Sequence, residues 1–315
     1  MIKLVLAGAA DAFIYKEAIK YLSDVVICGV VDPNIEEGRK AAHLFQVEHY
    51  AKTVSDLLSI DNFEFDGVVV KGKFNYRENE ALLAINNKKH VLISIPVAET
   101  VEKTAGFFNL CAKSNVVTML GNKFRYIPSY TILKNKIDSG VLGQVGLIRV
   151  HDWLGSNRDS RDTVDLERIA SLVDMVNWLF NSSPSVIYAR SIKNFCIQIH
   201  LGFEAGGMAL VDLSHLNSND GYRSVSVIGS AGAGYADDHH NRNLVFQEGS
   251  TIARSPSDGC LDIVAELAEF AEKILHKRDS QAVGSEMVTT MTIVEAIFTT
   301  IKSGKAVHQK GDRYE

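Results

Sequence analysis

Cysteine is scarce and scattered in this sequence. Its four cysteines, Cys28, Cys111, Cys196 and Cys260, stand alone along 315 residues. They form no CxxC pair and no zinc spacing, which argues against a structural metal and against a disulfide framework. Four reduced thiols fit a cytoplasmic protein. Long apolar runs are also missing. No stretch approaches the roughly 18 residues of a membrane span. The segment 1–13 is apolar but meets Asp11 early, and it lacks the charged start and cleavage pattern of a secretory leader. Basic runs are absent as well, and the net charge is −5. That argues against nucleic acid as a partner, since such domains carry a basic patch. Repeats and low-complexity linkers are lacking too, so domain boundaries must come from changes in pattern.

What is present is a soluble composition, 46% apolar and 23% charged, on a chain long enough for two domains. The first 120 or so residues alternate strand and helix patterns. "IKLVLAG", "VVICGVVD", "FDGVVVKG", "HVLISIP" and "VVTMLGN" are apolar runs. Helical patterns separate them, including "EEGRKAAHLF" and "NYRENEALLAINNKK". Continuous apolar strands between helices predict a parallel sheet covered on both faces. After Asn122 the pattern changes. A helix stops at Gly140 and another covers 165–180. The runs "SVIYARSI", "FCIQIHLGF", "GMALVDLSHL", "YRSVSVIGS" and "NLVFQEG" then follow, divided by turn residues. They predict an antiparallel sheet. Two further helices, near 261–277 and 287–303, close the chain. The expected architecture is α/β, with a doubly wound domain at 1–121 and a second α/β domain with an open, mostly antiparallel sheet at 122–315.

Four constellations could carry chemistry. The first is Gly8-Ala9-Ala10-Asp11-Ala12-Phe13, between the first strand and helix. A dinucleotide fingerprint, G-x-G-x-x-G/A, uses its glycines for a tight turn and close approach to pyrophosphate. Only Gly8 fits; Ala10 and Phe13 take the later glycine places, and Phe13 should alter the helix–strand contact. The competing reading is a tight turn that binds nothing. The second is Asp32, which closes the second strand near the ~20-residue spacing at which an acid takes the adenosine ribose hydroxyls. A carboxylate there accepts hydroxyls and repels a 2′-phosphate, favouring NAD over NADP. Arg39 on the next helix could soften that preference, and Asp32-Pro33 could be only a helix-starting turn. The third is the stripe Glu167, Ser171, Asp174 and Trp178, at helical spacing opposite an apolar face. A solvated face is the bland explanation, against which Trp178 counts. The fourth is Asp237, Asp238, His239 and His240 in one loop. Adjacent side chains rarely converge on one centre and no third spaced ligand is evident. A polar loop is therefore expected, with substrate contact next and a metal last.

The order of these segments resembles the Gfo/Idh/MocA family, the glucose–fructose and inositol dehydrogenase type of oxidoreductase. The resemblance spans almost the whole chain. It rests on Gly121, Asn122, Arg125, the run Ile137-Asp138-Ser139-Gly140, and Gly143 in "GNKFRYIPSYTILKNKIDSGVLGQVGLIRV". "VDMVNWLF", "VSVIGSAGAG", "AELAEFAEKI" and "VEAIFTTIKSGKAV" add to it. The resemblance implies a Rossmann domain, and a second domain whose sheet often builds homodimers or homotetramers. It also implies a nicotinamide cofactor between the domains and a small-molecule substrate. Gly72, Ser94, Pro96 and Asn122 join Gly8, Ala9, Ala10, Asp11 and Asp32 as expected cofactor residues.

The departures concern proton transfer. Where the family has Glu-Lys-Pro, this chain has Ser94-Ile95-Pro96. Where it has a catalytic histidine, this chain has Ser171, leaving Asp174 and Trp178. The loop after the third strand, usually Thr-Pro-Asn, reads Gly72-Lys73-Phe74. Oxidising an alcohol needs a base for the hydroxyl proton as hydride leaves. Isoleucine cannot serve, and an unassisted serine has far too high a pKa. An oxidoreductase would therefore draw on Lys71, Lys73, Tyr126, Asp174 or His239, or on a solvent proton with a conjugated or imine-like substrate. The alternative is a homologue that binds cofactor or ligand without turnover. A non-redox use of NAD gains nothing from these losses, since it also needs proton transfer.

Overall fold

The computed structural model describes residues 1–72, 74–155, 166–192, 196–216, 222–237, 242–247, 250–254, 260–276 and 281–315. They form two compact units, Met1–Tyr126 with Gly259–Val288, and Ile127–Asp258 with Thr289–Glu315.

In the first unit, strands β1 (Ile2–Ala7), β2 (Val25–Val31), β3 (Tyr50–Ala51), β4 (Gly67–Val70), β5 (His90–Ser94) and β6 (Thr118–Gly121) make one sheet. Its order is β3-β2-β1-β4-β5-β6, and every pairing is parallel. Helices α1 (Ala12–Ala18), α2 (Ile35–Phe45), α3 (Val54–Leu58), α4 (Phe74–Asn86) and α5 (Val101–Ser114) link the strands. Alternation along each strand feeds two cores. Leu4, Leu6 and Leu92 join Tyr15, Leu267 and Phe270 in one. Val5, Ala7, Val68, Val70 and Ile93 join Ala81, Ile85 and Phe107 in the other. That double burial is why these strands read as unbroken apolar runs. Side-chain caps mark the helix starts: Asn34 accepts from Glu36 N, Thr100 from Lys103 N, and Thr53 forms a capping box with Asp56.

In the second unit, α6 (Pro128–Asp138), β7 (Val145–Gly155) and α7 (Leu166–Phe180) precede seven strands. These are β8 (Val186–Ile192), β9 (Cys196–Gly202), β10 (Met208–Leu216), β11 (Tyr222–Gly229), β12 (Gly232–Asp237), β13 (Arg242–Gln247) and β14 (Ser250–Arg254). The chain returns to the first unit with α8 (Leu261–His276) and passes back along α9 (Gln281–Ser303) to β15 (Val307–Lys310) and β16 (Arg313–Tyr314). The ten-stranded order is β14-β13-β12-β11-β7-β10-β9-β8-β15-β16. Within it β10 and β7 pair in parallel. The other pairings are antiparallel.

The sequence pattern divides the chain at 121/122, whereas the first unit's leading segment ends at Tyr126. The pattern does not reveal the return of α8, because a helix carries no mark of which sheet it covers. The first helix is also shorter than its apolar pattern, ending at Ala18 before a 3-10 turn at Ile19–Tyr21.

His90 at the start of β5 accepts the Val117 amide on its Nδ1 at 2.9 Å. Burial holds its pKa below the ordinary value of 6.5 against the opposing pull of Asp66. The unfolded chain therefore takes up the proton first as pH drops. Stability from this neutral imidazole is present above pH 6.5 and is lost as pH falls through the depressed native value. Denaturant unfolding from pH 7.5 to 5 should show this decline, and His90→Gln should flatten it; equal slopes for both proteins would refute the assignment.

Candidate functional site

The carboxyl ends of β1, β2 and β4 meet at the point where the strand order reverses, which is where open α/β sheets bind ligands. Gly8 leaves β1 with φ +103°. A Cβ there would lie 2.8 Å from the Lys71 carbonyl carbon and 2.9 Å from its oxygen. Gly72, with φ +92°, lies opposite; its own Cβ would come within 3.9 Å of Gly8 Cα. Two backbones thus touch where two side chains are missing. The Gly8 amide donates to Val31 O at 2.8 Å. Ala9 is buried, while Ala10 and Asp11 are exposed at the head of the turn. Phe13 is 66% exposed. It therefore does not enter the helix–strand contact, which corrects the expectation from its place in the motif.

Asp32 closes this turn. Its Oδ2 accepts the Ala9 amide at 2.8 Å and its Oδ1 the Asn34 amide at 2.8 Å. Both oxygens keep a lone pair for a further donor. Arg39 is engaged elsewhere, bonding Glu36 at 2.8 Å on the exposed face of α2. Open Ala10 and Asp11, a tight turn of small residues at Gly8 and a fixed carboxylate fit a dinucleotide. Gly8, Ala9, Ala10 and Asp11 would hold its pyrophosphate, and Asp32 its adenosine ribose.

At the next strand ends, Ser94 pairs with Gly121 in register. Ile95 is buried, donates its amide to Gly121 O at 3.2 Å and accepts from Arg77 at 3.4 Å. The Ile95-Pro96 peptide is cis, and Pro96 is buried. Asn122 is buried and accepts the Phe124 amide at 3.1 Å, capping the turn at Lys123–Arg125.

Two proton-transfer candidates are engaged with acids of α8. Lys71 Nζ lies 3.4 Å from Glu266 Oε2 and 5.7 Å from the Tyr15 ring centre. Burial pushes its ammonium toward deprotonation, but Glu266 and Tyr15 outweigh that and hold its pKa above the ordinary lysine value. It is a charged donor at neutral pH, not a base. Tyr126 donates to Glu269 Oε2 at 3.1 Å. Burial first, and Glu269 second, push its hydroxyl above the ordinary tyrosine value.

In the second unit, α7 bears Ser171, half-buried, and Asp174, only 3% exposed. The stripe through Asp174 is therefore not a solvated face. Trp178 has Lys134 Nζ 5.8 Å from its ring centre, and that lysine bonds Asn181 at 2.6 Å and also Asp138. Arg168 of α7 donates Nε to the Asp152 carboxylate at 3.0 Å and a terminal nitrogen to Asp152 O at 2.8 Å. Arg223 of β11 binds the same carboxylate at 2.6 Å. Asp152 thereby fixes α7 against the sheet. Lys73 and His239, with Asp238 and His240, lie outside the described residues, whereas Asp237 ends β12 and accepts from Tyr235 at 3.0 Å. Among the described residues, no group of three His, Cys, Asp or Glu is placed to hold a metal. No helix among them is long and apolar enough to cross a membrane.

Sequence reasoning missed Tyr76, Arg77, Glu80 and Glu266. Arg77 and Glu80 are buried on α4, at helical spacing with Ala81, Ala84 and Ile85. Glu266 is buried beside Leu267 and Phe270. A charge on an apolar stripe was the available signal.

This arrangement defines a Rossmann-type nucleotide-binding unit. Residues 2–122 match the Gfo/Idh/MocA oxidoreductase family, with an NAD-binding Rossmann fold, so that part of the chain is a Gfo/Idh/MocA domain and the resemblance holds. The 4-carboxy-2-hydroxymuconate-6-semialdehyde dehydrogenase of Sphingobium sp. is 26% identical over 142 residues, 44% of each chain. The glucose-6-phosphate 3-dehydrogenase of Bacillus subtilis is 25% identical over 198 residues, 58% of this chain and 55% of that one. The matches thus span about half the length of these curated relatives. An oxidoreductase from Agrobacterium radiobacter, solved with NAD+, L-tartaric acid and magnesium, has the same fold at TM-score 0.85 and 16% identity, covering 98% of both chains.

The Gly8 contact carries a direct test. Gly8→Ala meets the Lys71 carbonyl and an unfavourable φ, so it should destabilise the first unit by more than about 1 kcal/mol. Urea unfolding measures this; a stability equal to wild type would show that the β1 turn tolerates a side chain.

Proposed function

We propose that the chain is an NAD-dependent oxidoreductase acting on a small molecule, sugar-derived or conjugated and imine-like, without the lysine–histidine pair of its relatives. Bound NAD supplies a hydride acceptor, and its reduced form a hydride donor. The observation that carries the proposal is the Asp32 carboxylate, held by the Ala9 and Asn34 amides. It is oriented for ribose hydroxyls and repels a 2′-phosphate, so NAD is favoured over NADP. The sugar dehydrogenases among the relatives support the substrate class. A cytoplasmic homodimer or homotetramer, joined through the ten-stranded sheet, accompanies this reading.

One observation favours a second reading, a cofactor- or ligand-binding regulatory homologue without turnover. Lys71 and Tyr126, two of the expected proton carriers, are committed to Glu266 and Glu269. In the enzyme reading the Lys71 ammonium acts as a donor or fixed positive charge, and the proton comes from it or from solvent. Ile95 and Ser171 then transfer no proton.

Calorimetric titration with NAD(H) and NADP(H) tests the cofactor. NAD should bind more tightly, and Asp32→Ala should weaken it by about ten-fold or more, the worth of lost charge-assisted hydrogen bonds. Unchanged affinity would sink the ribose assignment. A hydride-transfer screen over sugars, inositols, imines and conjugated carbonyls then separates the readings. Tight NAD binding with no turnover on any class favours the regulatory protein.

A further inference from the structure

We propose that Tyr76 positions the adenosine half of the dinucleotide by fixing the ends of β2, β1 and β4; the inference rests on the NAD-binding reading above. Tyr76 stands in the first turn of α4. Its ring covers Gly72: a Cβ on that glycine would lie 3.3 Å from Tyr76 Cδ1 and 3.6 Å from Cε1. Its hydroxyl donates to Val31 O at 3.2 Å. The same oxygen accepts the Gly8 amide at 2.8 Å. One carbonyl at the end of β2 thus receives both the amide of the β1 turn and the hydroxyl of Tyr76.

The sheet order gives this convergence its meaning. β1 lies between β2 and β4. The side chain therefore runs from the end of β4 to the end of β2, past the end of β1. These are the strand ends that frame the switch point. Val31 immediately precedes Asp32, so holding the Val31 carbonyl fixes the backbone from which the ribose-binding carboxylate projects. Asp32 and the buried Glu80 lie close enough to Tyr76 to add to the effect of burial in raising its pKa. The hydroxyl is therefore a neutral donor throughout the physiological range. Tyr76 acts through Val31, Gly8 and Asp32, which makes it a positioning residue.

The test separates the two halves of the cofactor. Wild type, Tyr76→Phe and Tyr76→Leu are titrated calorimetrically with NAD, AMP and nicotinamide mononucleotide, with thermal unfolding run on each protein. Tyr76→Phe keeps the ring over Gly72 and removes only the hydroxyl. It should weaken NAD and AMP in parallel by about three- to ten-fold, the range of one lost hydrogen bond. Tyr76→Leu should weaken both further, and nicotinamide mononucleotide should bind all three proteins alike. A general loss of packing would lower affinity for both halves. Equal weakening of AMP and nicotinamide mononucleotide therefore overturns the inference, as does a Tyr76→Phe protein that binds NAD and AMP like wild type. If Tyr76→Leu does not fold, the Tyr76→Phe comparison decides alone. A wild-type protein that binds neither NAD nor AMP overturns the functional reading itself, and this inference with it.

Discussion

The cofactor end of the first unit depends on a backbone-to-backbone contact. Gly8 meets the Lys71–Gly72 backbone because it has no side chain, and the Lys71 carbonyl fills the space where a Gly8 Cβ would stand. That contact brings the end of β1 beside the end of β4. The Val31 carbonyl then takes the Gly8 amide, which sets β2 beside the same turn. With these strand ends fixed, Asp32 can reach Ala9 and its own neighbour Asn34. The turn is thus built by packing and hydrogen bonding within the protein. It lacks the later glycines of the dinucleotide fingerprint, yet it leaves Ala10 and Asp11 exposed. The first glycine is needed for the tight turn, the second for a phosphate's approach and the third for close helix–strand packing. This chain keeps the first and replaces the second with the next smallest residue.

Buried charge does a different job in each unit. In the first, Lys71 with Glu266 ties α8 to the crevice end of the sheet, and Tyr126 adds a hydrogen bond to the partly exposed Glu269. Desolvation makes such contacts costly, and their net contribution to stability is small or unfavourable beside an apolar replacement. Their geometric effect is clearer. Glu266 Oε1 would lie 2.6 Å from a Gly121 Cβ, so a side chain at 121 would displace this carboxylate from its observed position. In the second unit one carboxylate, Asp152, accepts from two arginines and so joins α7, β7 and β11. A helix held by oriented bonds has less freedom to rotate than one resting on apolar contacts alone.

The sequence made the parallel sheet legible because double burial turns its strands into continuous apolar runs. The mostly antiparallel sheet was legible for the opposite reason: along β9, Ile197, Ile199 and Leu201 are buried and alternate with Gln198 and His200. Gly8 and Asp32 could be found by spacing. Tyr76 could not, because its role comes from reaching a carbonyl far away in sequence, and a tyrosine at a helix start has no local signature. The fate of Lys71 was equally hidden. A lysine at a strand end reads as a crevice residue until α8 returns from the end of the chain with Glu266. Phe13 misled in the other direction, since position in a motif says nothing about which way a side chain turns.

Scaffold and chemistry are separable at the end of β5. The course of the chain there is held by its backbone: the Ile95 amide bonds Gly121 O, its carbonyl accepts from Arg77, and Ser94 stays in register with Gly121. None of these contacts uses the side chain of residue 95. Replacing a lysine with isoleucine therefore leaves the segment's path intact while removing its charge. On α7, Arg168 and the apolar face anchor the helix. The framework's own determinants lie in the main chain and in buried pairs elsewhere, so isoleucine at 95 is compatible with the scaffold.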